Sequence, residues 1–450
     1  MFLTIIKTQL STIIVPLVLV LGTALSFKFR WVQLTRLRHS FRIVLTKEQI
    51  KSSRGISAFS ALSAVLGGNL GTGNIAGTAV ALSTGGPGAL FWMWVMAIIG
   101  SVIKFTGCYI SILNRVSHSQ QEWLGGPMYY IGHLLQSPIT AKVFSGLVIV
   151  SALTVGNFVQ VNSVSLPLIN HGFTNWQISL MLMVFIAFVT LDKHKRFATI
   201  STYVVPWMAL AYIALCLFVI LTHASKLPPL LSQILTAAFM PDSIVGGTMG
   251  YGIFESMRVG FDRGLFATDA GIGIAPMLHA EIPDQHSQQQ TAFEQGLVSI
   301  LAPIIVMVIC MMTGLVLLVT DAWIQPNLAS TEICVYAFTV GTGWKVSEYI
   351  LLVTLFLFAT TTLLTWSYCA ERALIYLNLD KHLHTFKLLF IGFIPLGCYM
   401  GGQWIWLLAD ISINLMLFIN LIAVFIASKP YTSQINHAIR TVGNKLNYRL

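Results

Sequence analysis

The polar residues of this chain that could hold a ligand stand where polar residues are costly. Asn69, Thr72 and Asn74 lie in 61-ALSAVLGGNLGTGNIAGTAVALSTGGPG-88, among Gly67, Gly68, Gly71, Gly73 and Gly77. That stretch is apolar and long enough to cross a bilayer, which takes about 20 residues of helix. Gln160 sits in a second such run, Asp269 in a third, and Thr361 with Thr362 in a fourth. Backbone freed from a helix inside lipid costs free energy unless protein, water or a ligand satisfies it. A cluster of glycines and amides at mid-depth is therefore either a close helix-packing face or an interrupted helix. Interrupted helices are how secondary transporters turn carbonyls and half-helix ends toward a substrate.

Each group has a structural alternative. The run 71-GTGNIAG-77 mimics a dinucleotide fingerprint, but it reads G-x-G-x-x-x-G and no soluble βαβ pattern follows, so that reading is discarded. Gly73 and Gly77 form a GxxxG pair suited to helix packing. Packing does not account for Asn69, Thr72 and Asn74, which need partners at depth. In 154-TVGNFVQVNS-163, helical spacing puts Asn157 and Gln160 on one face, either as glue between helices or as contacts to a zwitterion. Glu255, Arg258, Asp262, Arg263 and Asp269 crowd one apolar region. Arg258 and Asp262 make an (i, i+4) pair, whereas Asp269, between Gly264 and the glycines at Gly271 and Gly273, has only Arg263 as a local partner. Asp269 is read as facing a substrate ammonium or a cation, against a structural ion pair. In 360-TTTLLTWSY-368, hydroxyls joined by freed carbonyls would suit a small alkali cation, against hydroxyls that bond back to their own helix. Trp366 is either a pocket wall or lipid-facing.

The elements that must position these residues follow from composition. The 450 residues are 56% hydrophobic and 9% charged, against about 25% charged in soluble domains. This is an all-α integral membrane protein, and a soluble enzyme is excluded. The net charge of +10 comes from basic residues beside spans, a topology signal rather than a nucleic-acid surface. Six scattered cysteines show no metal or disulfide spacing. The run from Leu10 to Phe27 lacks signal-peptide features and reads as an anchor. Spans are placed at about 10–27, 57–82, 88–113, 141–166, 176–191, 199–222, 243–280 (interrupted), 296–320, 346–370, 386–400 and 402–427. Lys28, Arg30, Arg36, Arg38, Arg42, Lys47, Lys51 and Arg54 stand against Glu48 in one linker, which puts that linker in the cytoplasm and the N-terminus outside. Alternation then places Arg115, Lys193, Lys195, Arg196, Arg372, Lys381, Lys387, Lys429, Arg440, Lys445 and Arg449 inside, and the C-terminus with them. The loop near 281–295 is the exception, with Glu281, Asp284 and Glu294 but no Lys or Arg; within it 283-PDQHSQQQ-290 reads as solvated loop.

With the first span set aside, the rest divide five-plus-five, and an odd number per group inverts the topology of the second. The divisions are an N-terminal helix and basic linker (1–56), a first repeat (57–222), a second (243–427) and a basic cytoplasmic tail near anionic lipid (428–450). The spans opening the two repeats are both glycine-interrupted, the sequence pointer to a binding site at mid-membrane.

The runs GTGNIAG, GGPGALFWMW, GGPMYYI, GNFVQVNS, GFDRGLF followed by AG-x-G-x-AP-x-x-HA, QGLVS and TWSYCAE, in order from about residue 12 to 425, resemble the alanine/glycine:cation symporter family. The resemblance implies a five-plus-five inverted-repeat transporter with one extra N-terminal helix and two broken helices, importing alanine or glycine with sodium. It implies an amino-acid site at Asn69, Gly71, Thr72, Gly73, Asn74, Gln160, Asp269 and Gly271. It also implies a sodium site at Thr361 and Thr362 with carbonyls near Gly67 and Leu70. The chain departs from the family pattern at Gly107 and Val306, where acids are usual, at Thr268-Asp269 in place of Asn-Glu, and at Asn69.

The expectation is thus a sodium-coupled importer of a small neutral amino acid in a bacterial inner membrane, with no cofactor besides the coupling ion. Its partners are the amino acid, sodium and lipid, and not nucleic acid. The two missing acids leave open a proton-coupled or altered-substrate permease. A channel would need a ring of pore-lining polar groups. A membrane enzyme would need a metal or nucleophile constellation, which the scattered histidines do not form.

Overall fold

Each stretch that runs apolar for the thickness of a bilayer is helical. The computed structural model describes residues 2–45, 57–119, 122–191, 195–239, 249–284, 287–326, 328 and 330–447. Lys47, Glu48, Lys51, Arg54, Lys193 and Arg449 lie outside the described residues, as does the start of the seventh expected span at 243–248. The helices that matter here are α1 (Phe2–Lys28), α2 (Leu37–Leu45), α3 (Ala58–Asn69), α4 (Thr72–Gly85) and α5 (Gly88–Leu113). Next come α6 (Pro138–Leu153), α7 (Gln160–Asn170), α8 (Asn175–Thr190), α9 (Lys195–Thr222) and α10 (Leu227–Phe239). After these come α11 (Met249–Thr268), α12 (Ile274–His279), α13 (Gln288–Val319), α14 (Thr331–Thr342) and α15 (Lys345–Tyr376). The last are α16 (Leu383–Gly392), α17 (Ile394–Tyr399), α18 (Gly402–Ala427) and α19 (Thr432–Asn447).

Among the described residues, seven helices are long and apolar enough to cross a membrane. The two stretches expected to be interrupted do not count among them: the break divides the first into helices of 12 and 14 residues, and α11, though 20 residues long, carries Glu255, Arg258, Asp262 and Arg263. The chain is a multi-pass membrane protein. Helices α5 and α13 pack along each other, and α11 lies against α5 and α4. The broken segments are thereby held within the bundle: every residue from Ala61 to Ala79 is buried, as is every residue from Val259 to Phe261 and from Gly264 to Ala280. Outward faces of α8 and α9 carry exposed Phe188, Trp207 and Leu221, the apolar surface that lipid covers.

Several sequence readings shift. Helix α14, a short element after α13, was not anticipated. The expected span 386–400 is two short helices, α16 and α17, meeting at Phe393. The solvated loop ends earlier than 290, since α13 begins at Gln288 with Ser287 as its cap. The acids near that loop explain its lack of Lys and Arg: Asp284 pairs with Arg115 at 2.8 Å and Glu281 with Arg372 at 3.0 Å. Arg115, just past the end of α5, and Arg372 of α15 supply the charge that the loop lacks. The tail forms α19, whose Ile435 and Ile439 are buried, with Arg36 donating to the Ile439 carbonyl at 2.8 Å.

Candidate functional site

The first break is short. Helix α3 closes at Asn69, Leu70 leaves helical geometry (φ −82°, ψ 64°), Gly71 is extended (φ −94°, ψ 179°), and α4 resumes at Thr72. The freed backbone groups are met by side chains from elsewhere, as burial requires. The Thr362 hydroxyl donates to the Gly67 carbonyl at 3.0 Å, and the Asn74 amide donates to the Asn69 carbonyl at 2.5 Å. Gln160 Oε1 accepts from both the backbone N–H (3.0 Å) and the hydroxyl (2.9 Å) of Thr72. Gln160 thus offers its oxygen to the N-terminus of α4, where exposed N–H groups favour negative charge. A Cβ on Gly71 would stand 2.7 Å from both Gln160 Oε1 and Thr362 Oγ1, so glycine is required there for room.

The second break is longer. Helix α11 ends at Thr268, Asp269 (φ 47°), Gly271 (φ 89°) and Gly273 (φ 107°) adopt positive φ, and α12 begins at Ile274. An aspartate at positive φ stores about 1–3 kcal/mol of strain, a cost typical of functional sites. The Thr268 carbonyl accepts from Asn69 Nδ2 and from Lys104 Nζ, both at 2.9 Å. The Gly271 carbonyl accepts from Asn420 Nδ2 at 2.7 Å, and the Tyr130 hydroxyl donates to Asn420 Oδ1.

The breaks face one cavity. Its walls are Gly68, Asn69, Gly71, Gly73 and Asn74 from the first broken segment, Phe266 and Asp269 from the second, Val155 and Gln160, and Thr362 and Trp366 of α15. The empty space there, open solvent at its mouth included, is about 210 Å³, with free room on the order of a single water. Two acceptors in its wall, Asn69 Oδ1 and Asp269 Oδ2, and one donor, Trp366 Nε1, are buried without a hydrogen-bond partner. Acceptors suit an ammonium group and a donor suits a carboxylate. On one side Phe266 packs against Trp406 with ring centroids 5.0 Å apart and planes tilted by 43°, and Arg263 lies over both rings. Asp410 holds that Arg263 at 2.6 Å and Lys7 of α1 at 2.7 Å.

Of the residues singled out by sequence, Asn69, Gly71, Gly73, Asn74, Gln160, Asp269 and Thr362 line the cavity. Thr72 lies one hydrogen bond behind Gln160. Gly67 presents its carbonyl to Thr362, and Leu70 is buried at the break. Gly271 lies outside the lining, its carbonyl bound by Asn420. The Thr361 hydroxyl turns back on its own helix, to the Leu357 and Phe358 carbonyls at 3.0 and 3.1 Å, so it and Thr362 take different partners.

Asn157 and Gln160 also separate. A π-helical turn over Thr154–Val159 breaks the spacing that would align them, and Asn157 Nδ2 donates to the Phe390 carbonyl at 2.7 Å. Arg263 is engaged by Asp410 rather than Asp269. Arg258 pairs with Glu255 as well as with Asp262, the latter at 3.7 Å. Trp366 is fully buried and a cavity wall, which excludes the lipid-facing option. Phe266, Val155, Asn420 and Lys104 were not anticipated. Lys104 did carry a signal, as a lone cation in an apolar span; Phe266 and Val155 carried none.

A family model described as the sodium:alanine symporter family matches residues 1–444. An uncharacterized transporter of Haemophilus influenzae is 34% identical over 91% of this chain and 89% of its own length. A probable sodium/glutamine symporter of Bacillus subtilis is 31% identical over 93% of this chain and 86% of its own. The sodium/alanine symporter of Methanococcus maripaludis is 31% identical over 93% and 92%. Among solved structures, a manganese transporter of Eremococcus coleocola aligns with a TM-score of 0.54 over 84% of this chain and 80% of that chain, at 10% identity. That likeness concerns the fold alone. A chain with two broken helices facing one polar cavity, matched along nearly its whole length by this family model, belongs to the sodium:alanine symporter family.

Proposed function

We propose that the protein imports a small neutral amino acid, alanine or glycine, together with sodium by alternating access. The observation that carries this reading is the cavity between the breaks, with unpartnered acceptors at Asn69 and Asp269 and an unpartnered donor at Trp366. A zwitterion supplies both complements at once: its ammonium meets the carboxylate and amide oxygens, and its carboxylate meets the indole N–H and the N-terminal end of α4. The free space between Gly71, Gly73, Phe266 and Trp366 is on the order of a single water here, so it must widen to admit an amino acid, least for alanine or glycine and most for glutamine. Thr362, with the Gly67 carbonyl and Thr361 beside it, is the proposed sodium locus, since hydroxyl and carbonyl oxygens suit a hard cation.

The proposed setting is a bacterial inner membrane, with about eleven spans in a five-plus-five inverted arrangement, the N-terminus outside and the C-terminus in the cytoplasm. One sodium ion moving down 100 mV contributes about 2.3 kcal/mol, roughly fifty-fold accumulation before the concentration gradient is added. The test is uptake of labelled alanine, glycine and glutamine into proteoliposomes, with and without an inward sodium gradient. Accumulation of alanine or glycine that vanishes with the gradient supports the proposal. Preference for glutamine overturns the substrate, and gradient-independent uptake overturns the coupling.

A further inference from the structure

Lys104 is absorbed by none of this. It lies in the middle of α5, is 2% exposed, and carries a charge that burial makes costly unless something compensates it. What meets it is a freed backbone carbonyl, that of Thr268 at 2.9 Å, and the field of Asp269. The same carbonyl accepts from Asn69 Nδ2 at 2.9 Å. The ammonium thus touches a carbonyl released by a broken helix, which the Asn69 amide also meets, and it lies in the field of a buried carboxylate. Asp269 Oδ2 and Asn69 Oδ1 are buried and unpartnered, beyond hydrogen-bond reach of the ammonium itself. Hard oxygens of these three kinds are what a small alkali cation takes as ligands. A metal ion must be recruited from solution, whereas the ammonium is covalently attached and cannot leave.

We propose that Lys104 is a tethered stand-in for a coupling cation at the second break: its ammonium neutralises the freed Thr268 carbonyl and the Asp269 carboxylate, so that ion exchange is confined to the first break. The assignment rests on the transporter reading above and gives that reading a stoichiometry, one exchangeable cation for each amino acid. It also gives Asp269 a constant countercharge, so the carboxylate is retained through a cycle in which the substrate ammonium comes and goes. Lys104 is a positioning residue, since it lies behind the cavity wall.

The experiment is a count of sodium bound to the purified full-length protein, by equilibrium dialysis against labelled sodium, which requires no transport. Lys104→Ser, which removes the ammonium and opens space beside Thr268, is expected to bind one more sodium ion than the unaltered protein. Lys104→Arg, which keeps the charge, is expected to show no gain, and Asp269→Asn in the Lys104→Ser background is expected to abolish it. A folded Lys104→Ser protein with no added ion overturns the proposal. So does an unaltered protein that binds two, and this second measurement stands even if Lys104→Ser does not fold. An unaltered protein that binds none overturns sodium coupling instead, while the difference between Lys104→Ser and the unaltered protein still decides the role of Lys104.

Discussion

The two breaks solve one problem by opposite means. At Leu70–Gly71 the freed groups are met by neutral partners, a threonine hydroxyl and two side-chain amides, and the backbone never enters positive φ. Glycine serves there by lacking a side chain. At Asp269–Gly273 the backbone turns through positive φ three times and the freed Thr268 carbonyl takes an ammonium. Glycine serves there mostly by its conformational freedom, and an ammonium joins the Asn69 and Asn420 amides that meet the freed carbonyls. Neutral partners exchange with a passing ion or substrate at modest cost, whereas a buried charged partner is costly to move. Rearranging the first break therefore costs less than rearranging the second.

Removing charge from the second break is the severest way to test this contrast. Lys104→Met strands Asp269 without its countercharge, and the expected loss is about 3–5 kcal/mol, read as a large fall in the thermal unfolding midpoint in detergent. The double variant with Asp269→Asn is expected to recover most of it. A single variant as stable as the parent would show that the second break is no more charge-dependent than the first.

At the first break the expected effects are steric and smaller. In Gly73→Ala the new Cβ would meet Phe266 Cε1 at 2.3 Å, an overpacking worth about 1–3 kcal/mol and a loss of alanine binding by roughly the corresponding ten- to hundred-fold. Calorimetric titration checks this, and adding Phe266→Leu is expected to restore part of the affinity. Thr362→Val leaves the Gly67 carbonyl without its donor, costing about 1–3 kcal/mol and weakening the sodium dependence of binding. Thr361→Val is the mildest, within about 0.5 kcal/mol in stability, because its hydroxyl bonds back to its own helix and otherwise meets only the weak acceptor Met208 Sδ at 4.0 Å. The two threonines are to be compared by thermal shift across a sodium titration. An equal loss of sodium response from both would place Thr361 beside Thr362 as an ion ligand; a loss from Thr362 alone would leave it as a helix-internal hydroxyl.

Sequence by itself determined where the helices must break. Glycines and amides inside a bilayer-length apolar run leave few physical options: the first interruption falls within 67–74 as those residues predict, and the second, expected only somewhere within 243–280, falls at 269–273. It also marked Asn69, Gln160, Asp269 and Thr362, because a polar side chain at depth must find a partner. Which partner it finds was decided only by tertiary structure. One π-helical turn sends Asn157 to the Phe390 carbonyl and Gln160 to the cavity. Asp410, some 147 positions from Arg263 along the chain, takes that arginine and leaves Asp269 to Lys104. Phe266 and Val155 look like any apolar residue until the bundle closes around them. The reason is physical: the cost of a buried polar group is local and can be read from a run of residues. The groups that offset it are supplied across helices, by contacts that no spacing within a span encodes.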